Sequence, residues 1–322
     1  MSGEGDIEQG PLPERPLLAP WYRVARSGDG GILLEYGDAI LALEGRAVEL
    51  LLRELLPLLD GSRGVDELAQ TLGADRRPAI ERALATLVSH GVVIEGPPPA
   101  DETAALCAAV ASAPTGLAEV GARLEAARVA LAGSGAAADE LARLLGGTVA
   151  EVRRVDWDAG ALDGADFVVV APSPAELPRL EGWNERLLDA RLAWLQLLPF
   201  NGRLAAIGPL YVPGETCCYV CFRSRRAAAL GDAGDFLALE RRGASYPVGG
   251  PLGAALAGLA AVVTVRWLAG AEPALPGAFY ALELEDGPRL ERHRVYRVPR
   301  CPACSGAFRL PPPLPWAEAV AR

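Results

Sequence analysis

Two Cys-x-x-Cys pairs, Cys218-Tyr-Val-Cys221 and Cys301-Pro-Ala-Cys304, stand with 79 residues between them in a chain of 322. Each pair can aim two thiolates at one point, and two such turns complete a tetrahedral four-thiolate zinc site with no coordination position left open. A closed shell of this kind is structural, so the spacing predicts that the segment around Cys218 and the chain near Cys304 meet in space. Disulfides are the alternative, disfavoured in a reducing cytosol, and a redox pair would need no distant match. Cys217 is the spare cysteine. Cys107, on an Ala-rich run, reads as a small buried hydrophobe.

Composition narrows the function classes. Hydrophobic residues make up 51% of the chain and charged residues 22%, which fits a foldable globular protein. The net charge is −10, and all 31 basic residues are Arg. An acidic chain is a poor general nucleic-acid binder, because phosphate neutralisation dominates that affinity. Without Lys there is no P-loop Lys, no Schiff base and no lysine nucleophile. With only His90 and His293, a multi-histidine metal site is excluded as well. The segment Met1 to Arg15 lacks the basic and apolar regions of a secretory signal. The longest apolar stretch, Pro251 to Val265, stops at Arg266 and falls short of the about 20 residues that span a bilayer. A soluble, cytoplasmic protein with no membrane partner is the expectation.

Along the chain, Tyr22-Arg-Val, Ile32–Tyr36 and Ala39–Leu43 read as short strands separated by glycine turns. Helical periodicity follows at Ala47 to Leu55, at Val65 to Leu72 and from Pro78 to Val88. Val92 to Ile94 returns to strand, giving three strands, three helices and a closing strand. Gly96-Pro-Pro-Pro99 marks a stiff linker, and an Ala-rich helical run extends from Asp101 to about Ala127. Beyond it, apolar runs at Val129 to Ala132, Asp166 to Ala171, Ala193 to Leu197 and Leu204 to Ile207 alternate with helical segments. That order predicts an α/β domain with a largely parallel, buried sheet. Ala278 to Glu285 and Arg289 to Val298 read as a hairpin, and Leu310 to Trp316 as an extended Pro-rich tail.

Val129-Ala-Leu-Ala-Gly133-Ser-Gly135-Ala-Ala-Ala138 matches G-x-G-x-x-A after a strand and before a helix, where backbone N–H groups can hold a phosphate. Asp156 stands where a ribose-binding acid is expected. Yet Phe167 to Ala171 runs into Pro172-Ser-Pro174 instead of a magnesium-binding acid, so a packing turn with Asp156 in a solvated loop is the simpler reading.

Several of these features together resemble the ThiF/MoeB family of ubiquitin-activating-type adenylyltransferases. They are the glycine turn, Gly208-Pro-Leu-Tyr-Val-Pro-Gly-Glu-Thr216 leading into Cys218-x-x-Cys221, the small-residue helix Gly250 to Gly270, and Cys301-x-x-Cys304. That family carries an aspartate where this chain has Pro172, and basic residues that activate ATP, so the resemblance implies a kept scaffold with adenylation lost and no ATP as cofactor. Gly31-Ile-Leu-Leu, Leu43-Glu-Gly45, Leu55-Leu-Pro-Leu-Leu-Asp-Gly61 and Val65-Asp-Glu-Leu68 resemble the PqqD-like, winged-helix-like peptide-recognition domain. The combination is similar to the leader-binding partner proteins of azoline-forming cyclodehydratases. In those systems a separate YcaO-type enzyme uses ATP to cyclise Cys, Ser or Thr of a precursor peptide. The implied organisation is a flexible tail over 1–16, the recognition domain over 17–97, a linker and helix over 98–127, the ThiF-like domain with its zinc over 128–308, and a Pro-rich tail over 309–322. The scaffold often forms homodimers.

The resemblance also implies a site. The leader would pair with the strand Ala39, Ile40, Leu41, Ala42 and Leu43, beside a third helix whose Arg77, Glu81, Leu84 and Val88 form one stripe, with Leu84 and Val88 equally readable as core. Arg76, Arg77 and Arg82 would attract acidic leader residues, or form a solvated helix face. Independently of the resemblance, the pre-extended Pro-rich tail would offer Leu314 and Trp316 to the cyclodehydratase, or form a disordered end. Two rivals are a winged-helix DNA binder, disfavoured by the acid-rich domain, and an active adenylyltransferase acting on a peptide or a sulfur-carrier protein.

Overall fold

The structure, a computed structural model, describes residues 12–28, 30–99, 105, 109, 117–157, 162–231, 233–242, 250–270 and 272–305. Cys107 and the Pro-rich tail lie outside the described residues. The chain divides into two compact units, one holding residues up to Glu125 with Val265–Gly270, the other Ala126–Thr264 and the residues from Ala271 onward.

In the first unit, β2 (Arg23–Arg26), β3 (Ile32–Tyr36) and β4 (Ala39–Leu43) form an antiparallel sheet in the order β2-β3-β4, after β1 (Pro16–Leu18) has opened the chain. Gly37, at φ 61°, supplies the left-handed residue that a two-residue hairpin needs, and Tyr36 faces Ala39 across it. Period-2 alternation then sorts the side chains. Ile32 and Leu34 are buried, their partners Leu43 and Leu41 pack on the same core, and Ile40 on the other face is 67% exposed. The next helix, α1, begins as a π turn (Val48–Leu52), passes through Arg53–Leu55 and tightens to 3₁₀ at Leu56–Leu58, where Pro57 withdraws a backbone donor. Helix α2 (Val65–Leu72) starts where the Glu67 carboxylate accepts the Gly64 N–H at 2.9 Å. Helix α3 (Arg77–Ser89) carries Pro78 in its first turn. Leu55, Leu68, Ile80 and Leu84 are fully buried between these helices and the sheet. The closing strand β5 (Val93–Glu95) pairs antiparallel with β1, a three-residue strand too short to show any period in the sequence.

After α4 (Leu117–Ala126), the second unit is built on a seven-stranded sheet. Its first half is α/β. Strand β6 (Arg128–Ala132) leads through α5 (Ala136–Gly146) to β7 (Glu151–Val155). Next, β8 (Phe167–Val170) leads through a 3₁₀ turn (Pro174–Arg179) and α6 (Leu180–Ala190) to β9 (Trp194–Leu198). These four strands pair in parallel, and β8 and β9 are buried along their full length. The expectation of a largely parallel sheet fails beyond Leu198. Five residues connect β9 to β10 (Leu204–Tyr211), too few for a parallel crossover of about a dozen. Accordingly β10, β11 (Ala278–Glu283) and β12 (Arg289–Arg294) add antiparallel, giving the mixed order β12-β11-β10-β9-β8-β6-β7.

Helix α7 (Tyr219–Ala229) follows β10, then α8 (Ala233–Glu240) and the long α9 (Gly250–Gly270). At 21 residues and a mean hydropathy of 1.8, α9 is long and apolar enough to cross a membrane, which corrects the shorter stretch read from the sequence. Arg266 does not end it, because a long side chain can extend from a helix flank. Leu256, Ala257, Ala260 and Thr264 are buried on one face of the helix, whereas Val262 is 38% exposed.

Candidate functional site

The four cysteines of the paired motifs converge. Cys218 is the N-cap of α7 and Cys221 lies in its first turn, where unpaired backbone N–H groups favour a thiolate. Cys301 and Cys304 follow β12 in a turn entered through Arg300 in the left-handed conformation, φ 59°. All four sulphurs lie within 4.8 Å of one another. Cys218 is 3.9 Å from Cys221 and 3.7 Å from Cys301, and Cys221 is 3.5 Å from Cys304. Zinc–sulphur bonds of about 2.3 Å give a tetrahedron with edges of about 3.8 Å, whereas a disulfide needs about 2.05 Å. The four residues therefore fit a tetrahedral metal ion, with all but the half-buried Cys304 closed off from solvent. The hydrogen bond from Cys218 pulls the Cys221 thiol well below the usual thiol range, helped by the Val298 N–H at 3.3 Å. The same bond and burial push Cys218 up. Cys217 is buried, and that burial pushes its thiol up to about 12, so it stays a thiol outside the cluster. Two arginines brace the turns. Arg225 donates to the carbonyls of Tyr296 and Arg297, while Arg297 donates to those of Gly214 and Cys304.

The glycine turn follows β6 as its motif predicts, but its central residue, Ser134, is already engaged. A Cβ on Gly133 would lie 2.0 Å from the Ala171 carbonyl oxygen, so glycine is required where the turn crosses the end of β8. The Glu176 carboxylate accepts the Ser134 N–H and hydroxyl, the Ser173 N–H and hydroxyl, and the Trp157 indole N–H, all within 3.1 Å. Beside it lies a cleft of about 220 Å³ walled by Ala136, Pro172, Pro174, Leu197 and Leu256. Asp156 is exposed and takes no part in that wall. Sequence reading passed over Glu176, although Ser173-x-x-Glu176 is a legible capping box.

The third feature is the edge of the first unit's sheet. Strand β4 pairs with β3 on one side, and no described residue pairs with its other side. In a two-residue hairpin the closing pair Tyr36–Ala39 is hydrogen-bonded and pairs then alternate, so Ile40 and Ala42 direct their N–H and C=O groups to the free edge. A groove of about 490 Å³ meets β4 at Leu43, and Leu50, Ala83, Leu87, Arg46 and Arg82 are among its other lining residues.

The α3 stripe chosen from the sequence does not line that groove. Leu84 is fully buried in the core and Val88 packs against it. Arg77 is bound to Asp66 of α2 and to Glu81 at 2.8 Å, and Arg76 donates to Glu54 at 2.9 Å. Ala79, Arg82, Ala83 and Thr86 face the groove instead. One residue turns a helix by about 100°, so a stripe taken one position off looks toward α2 and the core.

No family model and no curated protein matches the chain. Solved structures do. The heterocyclase TruD is 23% identical, with a TM-score of 0.67 over 91% of this chain and 43% of its own. A heterocyclase in complex with substrate and cofactor is 21% identical, with a TM-score of 0.67 over 92% of this chain and 40% of its own. The microcin C7 biosynthetic enzyme MccB of E. coli, in complex with N-formylated MccA, is 15% identical, with a TM-score of 0.64 over 90% of this chain and 99% of its own. The chain thus spans about two-fifths of the heterocyclase chains it matches. What it shares with TruD and MccB is their fold.

Proposed function

We propose that this chain is a recognition subunit in the maturation of a ribosomal precursor peptide. Its PqqD-like, winged-helix-like first unit binds the leader segment along β4. The ThiF-like second unit, held by one structural zinc on Cys218, Cys221, Cys301 and Cys304, presents the core to a YcaO-type cyclodehydratase. That partner uses ATP to form thiazolines and oxazolines from Cys, Ser and Thr. The free edge of β4 beside an apolar groove carries this reading, because an edge strand supplies backbone hydrogen bonds to any extended peptide. The heterocyclase in complex with its substrate and MccB in complex with N-formylated MccA support it as proteins of the same fold that hold a substrate or a partner.

A second reading, an active adenylyltransferase, draws on the near-complete match to MccB, a biosynthetic enzyme. Against it stand Pro172, the lack of any Lys and the engagement of Ser134 by Glu176. The test is reconstitution. The purified chain is combined with a Cys/Ser/Thr-rich candidate precursor peptide, a YcaO-type enzyme from the same genome and ATP. Mass spectrometry should show loss of one water per ring only when all components are present. Release of pyrophosphate from ATP by the chain alone with the peptide would establish the second reading instead.

A further inference from the structure

We infer that the groove beside β4 selects a peptide in which acidic side chains flank apolar anchors, and that Arg46 and Arg82 read those acids. This rests on the peptide-binding reading of β4 and adds the chemical class of the peptide. Most arginines of the first unit are committed elsewhere. Arg23 pairs with Glu35, Arg63 with Asp60, Arg76 with Glu54, Arg77 with Asp66 and Glu81, and Arg53 donates to the Gly30 carbonyl. Arg46 and Arg82 are exposed, make no side-chain ion pair among the described residues, and both border the same groove. A guanidinium in that state keeps its whole fork of donors for an incoming carboxylate. The rest of the groove's lining is largely apolar, with Leu43, Leu50, Ala83 and Leu87 among it. A carboxylate near the Arg pair and a hydrocarbon side chain over that lining satisfy both surfaces at once.

The surroundings limit how acidic the peptide is. Glu44 and Glu49 are exposed close to Arg46 in the chain and repel a uniformly acidic segment. An extended peptide turns every second side chain to the same face. The geometry therefore points to Leu, Ile or Phe with Asp or Glu two positions away, not to a polyacidic run.

Panning a random library of peptides of about twelve residues, long enough to cover one strand and its flanks, on the immobilised full chain tests this. Enriched peptides are then synthesised with a fluorophore and titrated by polarisation. Enrichment of acids two positions from an apolar residue is expected. Arg46→Glu and Arg82→Glu should each weaken binding about tenfold, and more at low salt than at high. Exchanging the peptide's acid for Lys should restore binding to Arg82→Glu. Melting curves show whether the variants stay folded, as exposed unpaired side chains should allow. Apolar enrichment without acids, with binding lost in Ile40→Pro yet unchanged in both Arg variants, overturns the charge assignment and leaves the peptide reading intact. No enrichment, or binding indifferent to Ile40→Pro as well, overturns both.

Discussion

The Glu176 carboxylate accepts both the N–H and the hydroxyl of Ser134, at 3.1 and 2.9 Å, from 42 residues farther along the chain. Ser134 is the centre of the glycine turn, at the start of α5, where a phosphate would otherwise find its donors. Burial works to raise this carboxyl, but the hydrogen bonds from Ser173, Trp157 and Ser134 outweigh it and hold it below the usual carboxylate range. Around neutral pH the turn therefore faces a fixed negative charge, and a second anion would be repelled.

Glu176→Ala should destabilise the protein by about 1–3 kcal/mol, because it orphans donors on Ser134, Ser173 and Trp157. Inorganic phosphate should restore part of the lost melting temperature in the variant and none in the wild type. The sign of the pH dependence follows from the lowered carboxyl. Its contribution is complete above the unfolded value of about 4.3 and is lost as pH falls through the folded value. The gap between wild-type and variant melting temperatures should hold from neutral pH to about pH 5 and begin to shrink as pH falls below the unfolded value of about 4.3. A gap that does not shrink on acidification would deny the carboxylate its part.

The elements marked by local chemistry were legible in the sequence. Glycine turns bounded β3 and β4, periodicity gave α2 and α3, apolar runs gave β6, β8 and β9, and the cysteine spacing brought Cys218 and Cys304 together. What stayed hidden depends on distant partners. Strand β1 exists because β5 is there to pair with it. The sheet turns antiparallel after Leu198 because of a five-residue connection, and local hydrophobicity does not encode strand direction. The groove face of α3 was missed because Arg77 is turned to Asp66, an ion pair between separate helices.

The zinc proposed for the four-cysteine cluster predicts one zinc per chain by elemental analysis of the purified protein. Stripping it with a chelator should lower the melting temperature, since metal binding to a site absent from the unfolded chain is folding free energy. Cys301→Ser removes one of four ligands and should cost at least about 3 kcal/mol. Cys217→Ser should keep the full metal content and lose about 1 kcal/mol or less, because its thiol is a protonated neighbour of the cluster. Equal metal loss in both variants would assign Cys217 to the site.

Two glycines of one turn should respond differently to the same substitution. At Gly135, φ 93° and ψ −179°, an added Cβ meets nothing within 4 Å, so Gly135→Ala costs only the positive-φ backbone strain of about 1–3 kcal/mol. At Gly133, φ 113°, the Cβ would meet the Ala171 carbonyl oxygen at 2.0 Å. Backbone must move there, so Gly133→Ala should cost more than about 3 kcal/mol or prevent folding. Urea unfolding of the pair checks the order. Equal midpoints would mean that the turn does not pack against the end of β8.

The edge of β4 can be tested with two prolines one residue apart. Ile40 stands opposite Glu35 in a pair whose N–H and C=O groups point to the free edge, whereas Leu41 stands opposite Leu34 in a pair bonded to β3. Proline at position 40 removes a donor that β3 does not use, and an edge strand tolerates it. Ile40→Pro should therefore melt within about 1 kcal/mol of the wild type. It should bind the leader at least about tenfold more weakly, because an added strand loses a backbone bond and meets the ring. Leu41→Pro deletes a bond inside the sheet and should lower stability by about 3 kcal/mol before any peptide is added. Polarisation titration of the leader together with thermal melting separates the two effects. Wild-type leader affinity in Ile40→Pro would remove β4 as the docking strand, whatever Leu41→Pro does to the fold.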